Sequence, residues 1–196
     1  MKKHTNSDNF IQGYYLDPSK CEGWIDYHNN LDATYQAPTV IKNDENLIVQ
    51  VTDLSKRNCF LNWVDYEEDI LQTHFGNVWT FHEDYMRLHS IIDKSAGFGP
   101  RESWELIEYK KGGHHIDWHY ERMDNDGKSA GRLLTYVTFL DDGCGSLEFM
   151  YQNKSFESEK GLTVIFPSDW THTHRINPAT TGGLMVKGLL TYYDSK

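Results

Sequence analysis

Short apolar segments separated by turn residues fill the second half of the chain, and this spacing constrains the fold more than any other feature. Turn residues follow two of these segments, at Asp141–Gly145 and Gln152–Asn153. The predicted strands are 105–109, 132–140, 147–151, 161–166 and 184–193. With further short segments between them, they give the seven or eight strands typical of a jelly-roll sandwich or barrel.

The first half of the chain has a different texture. Apolar residues at helical spacing from position 21 to 31 predict a helix that starts near Ser19 and closes at Ala37-Pro38. A β-branched run at 47–52 predicts a strand, and residues 65–92 predict a long helical zone that Gly76 could divide. Residues 1–17 are polar with scattered aromatics, and we expect a loosely held arm there.

Together these patterns predict a mainly β protein with some α structure, a jelly roll preceded and flanked by N-terminal helices. At 196 residues the chain fits one domain. We expect a single domain over 1–196, with a helical support region at 1–100 and a jelly-roll core at 101–196.

Charge and cysteine content limit the partners and the compartment. The net charge is −10, from 29 acidic and 19 basic residues without a basic cluster, which argues against binding to a nucleic-acid backbone. No apolar stretch follows the basic start, and none is long enough to span a membrane. The three cysteines are scattered and predict reduced thiols. We therefore expect a soluble cytoplasmic protein.

Two segments carry potential metal ligands. His119 and Glu121 lie two residues apart, so an extended strand would place both side chains on one face. A further histidine comes from the segment 166–174. Two histidines and one carboxylate leave open positions on an octahedral iron. Zinc deaminases also use a His-x-Glu pair, but they need a Cys-x-x-Cys partner that this sequence lacks.

Each ligand position has a rival. His115 and Asp117 form a second His-x-acid pair with the commoner acid. In the later segment His172 and His174 share the same parity, so alternation along a strand cannot separate them. Spacing within the two segments therefore leaves these choices open.

The second half of the chain resembles the Fe(II)/2-oxoglutarate-dependent dioxygenases of the prolyl 4-hydroxylase-like branch. The resemblance covers about residues 105–193 and keeps the order of the family's motifs. The matching residues are Tyr109, Gly112, His119, Glu121, Arg132, Thr135, 139–141, Gly145, Phe149, Gly161, 166–167, His174 and Pro178. It implies a double-stranded β-helix (cupin-like) barrel with Fe(II), 2-oxoglutarate and O2 as cofactors.

The resemblance also implies roles for individual residues. His119, Glu121 and His174 become the iron ligands and the catalytic centre, because Tyr109 and Pro178 stand at the family's intervals from them. Glu121 replaces the usual aspartate. Tyr109 is the counterpart of a residue that contacts the cosubstrate, and Gly145 is left to make the tight approach in its turn.

The base that anchors 2-oxoglutarate is the main departure from the family. Arg or Lys usually stands nine or ten residues after the distal histidine, and those positions are Gly183 and Leu184 here. Lys187 on the same strand is the nearest candidate. Arg175 and Arg132 are reserves, although Arg132 at the start of its strand is expected to have a structural role. The Tyr that often helps to bind the same carboxylate is replaced by Phe139.

The resemblance implies hydroxylation of an unactivated C–H bond with release of succinate and CO2. The substrate could be a small molecule or a peptide. The alternatives are a non-catalytic jelly-roll binding module and a jelly-roll metalloenzyme that does not use 2-oxoglutarate.

Overall fold

A computed structural model of the chain describes residues 1–5, 7–31, 39–44, 47–52, 55–61, 69–123 and 127–193. Within these residues there are two α-helices, α1 (Ser19–Asn30) and α2 (Asp69–Leu88). The strands before residue 100 are β1 (Gln12–Tyr15), β2 (Thr39–Asp44), β3 (Leu47–Thr52), β4 (Lys56–Leu61) and β5 (Phe98–Gly99). The later strands are β6 (Trp104–Lys110), β7 (His115–His119), β8 (Arg132–Phe139), β9 (Ser146–Phe149), β10 (Lys154–Glu157), β11 (Leu162–Pro167), β12 (His174–Ile176) and β13 (Gly182–Tyr192).

Two antiparallel sheets form the barrel. The larger has the order β1-β11-β8-β13-β6-β4, with β5 added beside β13, and the smaller has the order β10-β9-β12-β7. Side chains from both sheets share one core, in which Phe139 and Met185 of the large sheet meet Phe149 and Ile176 of the small one. The predicted mainly β jelly-roll fold is confirmed.

Both helices pack on the outer face of the large sheet. Trp24 of α1 and Leu71 of α2 share a buried cluster with Leu106 of β6, while the next residue, Ile107, belongs to the barrel core. The large sheet is therefore covered on both faces, which explains its nearly continuous apolar strands. The predicted helix start at Ser19 is confirmed, but its predicted end at Ala37-Pro38 falls outside the described residues. Gly76 does not divide α2.

The N-terminal residues differ from the prediction of a loose arm. Strand β1 pairs with β11, and the side chains of Ile11 and Tyr14 are fully buried. The sequence misled here because β1 has only four residues, one of them a glycine, which is too short for an alternating pattern to stand out. Strand β3 confirms the predicted strand at 47–52. The N-terminal half thus contributes β1 and β4, the two outer strands of the large sheet, as well as the helices.

The turn between β8 and β9 needs a glycine. Gly145 has φ +83°, and a Cβ atom there would lie 2.2 Å from the carbonyl oxygen of Asn177. Only glycine tolerates both the left-handed backbone and this approach. The tight approach expected at Gly145 is therefore present, and it holds the β8–β9 turn against the chain that follows β12.

Candidate metal centre

Strands β7 and β12 bring the predicted ligands together. They pair antiparallel with His119 directly opposite His174. Glu121 lies two residues beyond the end of β7, and its side chain reaches the same place from a turn. The guanidinium of Arg132 donates a hydrogen bond to the Glu121 carbonyl oxygen. The ligand atoms of His119, Glu121 and His174 all lie within 4.8 Å of one another.

Backbone carbonyls orient both imidazoles. The Nδ1–H of His119 donates to the carbonyl oxygen of Asp117 at 2.9 Å, and the Nδ1–H of His174 donates to that of His172 at 3.0 Å. These bonds fix the tautomer that leaves a lone pair on each Nε2. The two Nε2 atoms lie 3.9 and 3.6 Å from one carboxylate oxygen of Glu121. The donor set and its orientation fit a divalent iron.

The protonation states also fit a metal. Burial, with help from His174 and His115, lowers the pKa of His119 to about 2. Burial by itself would raise the pKa of Glu121, but the ammonium of Lys187 and the neighbouring imidazoles hold that pKa well below its usual range. At neutral pH the site therefore presents a neutral His119 imidazole and an anionic carboxylate, the forms that bind metals.

Lys187 forms an ion pair with the Glu121 carboxylate and restrains its position. Its Nζ lies 3.3 Å from each carboxylate oxygen of Glu121 and 3.0 Å from Glu105. The other carboxylate oxygen of Glu105 accepts a hydrogen bond from the Asn58 amide at 2.7 Å. Burial alone lowers the pKa of Lys187, but the two carboxylates outweigh burial and raise that pKa above its usual value. A charged lysine thus restrains the longer side chain that replaces the family's aspartate.

The three candidate metal ligands face a narrow cavity inside the barrel. Its apolar wall consists of Ile107, Val137, Leu147, Ile176 and Met185. Its polar wall, apart from the ligands, consists of Lys56, Tyr109, His115 and Lys187. The lining thus places basic and apolar side chains next to the candidate metal ligands.

Comparisons with known proteins identify the family of the barrel. Residues 104–193 match the family model of the 2OG-Fe(II) oxygenase superfamily. The match contains all three candidate metal ligands. The predicted resemblance is confirmed, and with it the expected cofactors of the superfamily, Fe(II), 2-oxoglutarate and O2. No curated protein matches the chain.

Solved prolyl hydroxylases share the fold of this oxygenase. A viral collagen prolyl hydroxylase from Paramecium Bursaria Chlorella virus-1 is 12% identical with a TM-score of 0.67, over 97% of this chain and 100% of that chain. A Pseudomonas putida prolyl-4-hydroxylase is 15% identical with a TM-score of 0.64, over 94% of each chain. A Trichoplax adhaerens prolyl hydroxylase in complex with a hypoxia inducible factor peptide fragment is 14% identical with a TM-score of 0.62, over 95% of this chain and 84% of that chain.

The rival acid pair of the oxygenase lies outside the ligand cluster. The ring of His115 lines the cavity and stacks on His119 with 3.9 Å between centroids. Burial, together with the charges of Lys56 and Lys187, lowers the pKa of His115 to about 3. The side chain of Asp117 is exposed. His115 therefore borders the metal centre, and Asp117 contributes its backbone carbonyl.

His172 is held away from the cluster. Its Nε2 lies 3.0 Å from the carbonyl oxygen of Asn9, and its Nδ1 lies 2.8 Å from the hydroxyl of Thr171. His172 ends a short 3-10 helix at Trp170–His172, and only Thr173 lies between this helix and β12, in which His174 faces inward. Both ring nitrogens of His172 are thus engaged with the surrounding chain.

Arg175 occupies the opposite side of β12 from His174. Its partner across the strands is Glu148, whose carboxylate lies 2.8 Å from the Arg175 Nε. The guanidinium also lies 4.3 Å from the ring centroid of Trp118. Trp170, which follows the strand that precedes β12, is 62% exposed. Arg175 and the two tryptophans are therefore absent from the described lining of the cavity.

Lys56 is the cavity residue that sequence reasoning missed. It stands in β4 directly opposite Tyr109 of β6, so both side chains point to the same face. Lys56 is only 8% exposed, and its Nζ lies 6.0 Å from the centroid of the Tyr109 ring. Because the paired residues lie some fifty positions apart, no local pattern in the sequence signals this contact.

Proposed function

We propose that this chain is an Fe(II)- and 2-oxoglutarate-dependent oxygenase that hydroxylates an unactivated C–H bond. His119, Glu121 and His174 hold the Fe(II). The observation that carries the proposal is the inward orientation of both Nε2 atoms toward an anionic carboxylate at the head of a cavity lined by lysines. When bound, Fe(II) supports decarboxylation of 2-oxoglutarate by O2 to succinate and CO2, with one oxygen atom placed in succinate and the other in the hydroxyl group of the product.

The protein's own groups prepare the site for this chemistry. The carbonyls of Asp117 and His172 keep the imidazoles oriented, and Lys187 keeps the Glu121 carboxylate anionic and in place. Lys187 stands at the metal end of the cavity, where it acts through Glu121. Tyr109 stands farther along the cavity, and we assign it as a residue that contacts 2-oxoglutarate. The apolar wall excludes water from the space between them. Arg175 lies outside this space and has no part in the proposal.

Anaerobic calorimetry with Fe(II) tests the proposal. The wild-type protein should bind 2-oxoglutarate only when Fe(II) is present and should release succinate in air. His119→Ala should abolish both properties, whereas His114→Ala, whose side chain is absent from the described cavity lining, should preserve them. Metal binding without 2-oxoglutarate binding would favour a different metalloenzyme. If the wild-type protein binds no metal at all, a non-catalytic binding module is favoured.

We further propose a peptidyl substrate. The Trichoplax adhaerens neighbour is in complex with a peptide fragment, and the viral neighbour is a collagen prolyl hydroxylase. These likenesses support proline-containing peptides over free amino acids. Mass spectrometry of peptides incubated with the Fe(II)-loaded protein and 2-oxoglutarate should detect the gain of one oxygen atom. If free proline is hydroxylated and peptides are not, the substrate is a small molecule.

A cytoplasmic location completes the proposal. Within the described part of the chain, no helix is both long and apolar enough to cross a membrane. Cys21, Cys59 and Cys144 are buried thiols, as in proteins of a reducing compartment. Fractionation of cells that produce the protein from its own gene would test this location.

A further inference from the structure

In this chain there is no room for a side chain at Gly183, one of the positions where the family usually carries the base that binds the cosubstrate. A Cβ atom at Gly183 would lie 2.9 Å from both the Sγ of Cys144 and the Cβ of Asp141. The Asp141 carboxylate is itself held by the backbone N–H of Leu184 at 3.0 Å. The chain's own side chains therefore fill the space beside residue 183, and a base must enter the cavity from elsewhere.

Lys56 belongs to the same row of cross-strand neighbours as Gly183, with Tyr109 between them. Gly183 of β13 stands directly opposite Tyr109 of β6, and Tyr109 stands directly opposite Lys56 of β4. Residues opposite one another in a sheet project to the same face. Tyr109 lies in the barrel core, and Lys56 is buried beside it. The row Gly183–Tyr109–Lys56 thus keeps a positive group in the cavity although Gly183 provides none.

Lys187 and Lys56 belong to different ends of the cavity. Lys187 is opposite Glu105, which precedes Tyr109 by four residues in β6. At about 3.3 Å per residue, the two rows lie about 13 Å apart along the strand. Lys187 contacts the metal ligand Glu121. The two lysines are therefore positioned to act on opposite ends of a bound molecule.

The charged groups of the described cavity lining are Lys56, Lys187 and Glu121, and Glu105 pairs with Lys187 from beside it. Lys187 is therefore committed to two carboxylates at the metal end. Lys56 places a second amino group beside the cavity, in the row of Tyr109. A dianion that reaches from the metal end toward this row would meet a positive group at its remote carboxylate.

We infer that Lys56 binds the carboxylate of 2-oxoglutarate that is remote from the metal, while Lys187 positions Glu121 at the metal end. This inference rests on the proposed use of Fe(II) and 2-oxoglutarate. It assigns cosubstrate selectivity to an N-terminal strand outside the part of the chain that matches the superfamily. It gives Lys187 a positioning role, because its ammonium acts on the metal through Glu121.

The test compares 2-oxoglutarate with 2-oxopentanoate, in which a methyl group replaces the remote carboxylate. Anaerobic calorimetry of the Fe(II)-loaded wild-type protein should show preference for the diacid. Lys56→Met should reduce that preference by roughly tenfold or more, the scale of a charge-assisted hydrogen bond, and Lys56→Arg should retain most of it. Lys187→Met should keep the preference but weaken Fe(II) binding. Lys110→Met, a half-exposed lysine of β6, is the matched control.

Each outcome separates the inference from the proposed function. If the Fe(II)-loaded wild-type protein does not bind 2-oxoglutarate, the proposed function itself fails. If it binds and Lys56→Met keeps the full preference for the diacid, the inference is overturned. Loss of the preference in Lys187→Met instead would place the remote carboxylate at Lys187. Thermal unfolding checks that each variant is folded, and Lys56→Gln replaces Lys56→Met if the latter does not fold.

Discussion

The imidazole of His174 is oriented by the backbone of His172, because its Nδ1 lies 3.0 Å from the His172 carbonyl oxygen. The sequence offers both histidines as metal ligands, and the structure gives them two different roles. One faces the other ligands with its Nε2, and the other contributes a carbonyl group while its own ring is bound to Asn9 and Thr171.

Single alanine substitutions should separate the two histidines. His174→Ala removes one of three ligands, so we expect Fe(II) affinity to fall by about 100-fold or more, beyond the usual effect of removing a residue that only orients a ligand. His172→Ala keeps the backbone carbonyl and should change Fe(II) affinity by less than about threefold. Anaerobic metal titration measures both. Loss of iron by His172→Ala alone would reverse the assignment.

Two glycine substitutions should have opposite effects on stability. Gly183→Ala forces a methyl group against Asp141 and Cys144, and overpacking of this kind costs about 1–3 kcal/mol. Gly76→Ala places its methyl group in open space on α2, where alanine is favoured by about 0.5–1 kcal/mol. Urea unfolding measures both free energies. Unchanged stability of Gly183→Ala would mean that a side chain can be accommodated there.

His74 should make the protein sensitive to mild acid. This residue is buried between helix and sheet, and burial lowers its pKa from 6.5 to about 4. The unfolded chain therefore binds the proton first, and stability is lost as the pH falls from about 6.5 toward 4. Between pH 7 and pH 5 this amounts to about 2 kcal/mol. In His74→Gln the loss of unfolding free energy over this interval should be smaller by that amount, whereas an equal loss would assign the effect elsewhere.

Replacement of Arg175 should leave the cosubstrate unaffected. Its guanidinium is paired with Glu148 and packed on Trp118, on the side of β12 away from the cavity. Arg175→Met should change 2-oxoglutarate affinity by less than about twofold. The partly exposed ion pair is worth at most about 1 kcal/mol of stability. A tenfold loss of 2-oxoglutarate affinity in calorimetry would return Arg175 to the list of candidate anchors.

Sequence patterns predicted the elements whose signals are local. The strands of the second half and the start of α1 follow from alternation, turns and helical spacing within short windows. His119 and His174 could be paired because the order of motifs matched a family. Alternation was a less complete guide to Glu121, because β7 ends at His119 and the carboxylate arrives through a turn.

The remaining features depend on pairing between distant parts of the chain. Nothing in residues 56–61 indicates that Lys56 will stand opposite Tyr109, and nothing near Gly183 reveals that Asp141 and Cys144 close its surroundings. The burial of β1 likewise depends on β11, which lies about 150 residues later. These contacts follow from the register of the sheet, which short-range periodicity does not encode.

Strands β1 and β4 lie at the two edges of the large sheet, so the N-terminal half covers strand edges that the rest of the barrel would leave exposed. The superfamily-matching residues 104–193 contain all three candidate iron ligands, yet on their own they would expose the hydrogen-bonding edges of β11 and β6. Unpaired edges of apolar strands recruit other chains. An excised 104–193 fragment should therefore self-associate, although it carries the complete His119–Glu121–His174 set. Protection from aggregation, as much as helical support, is what the first hundred residues bring to this oxygenase.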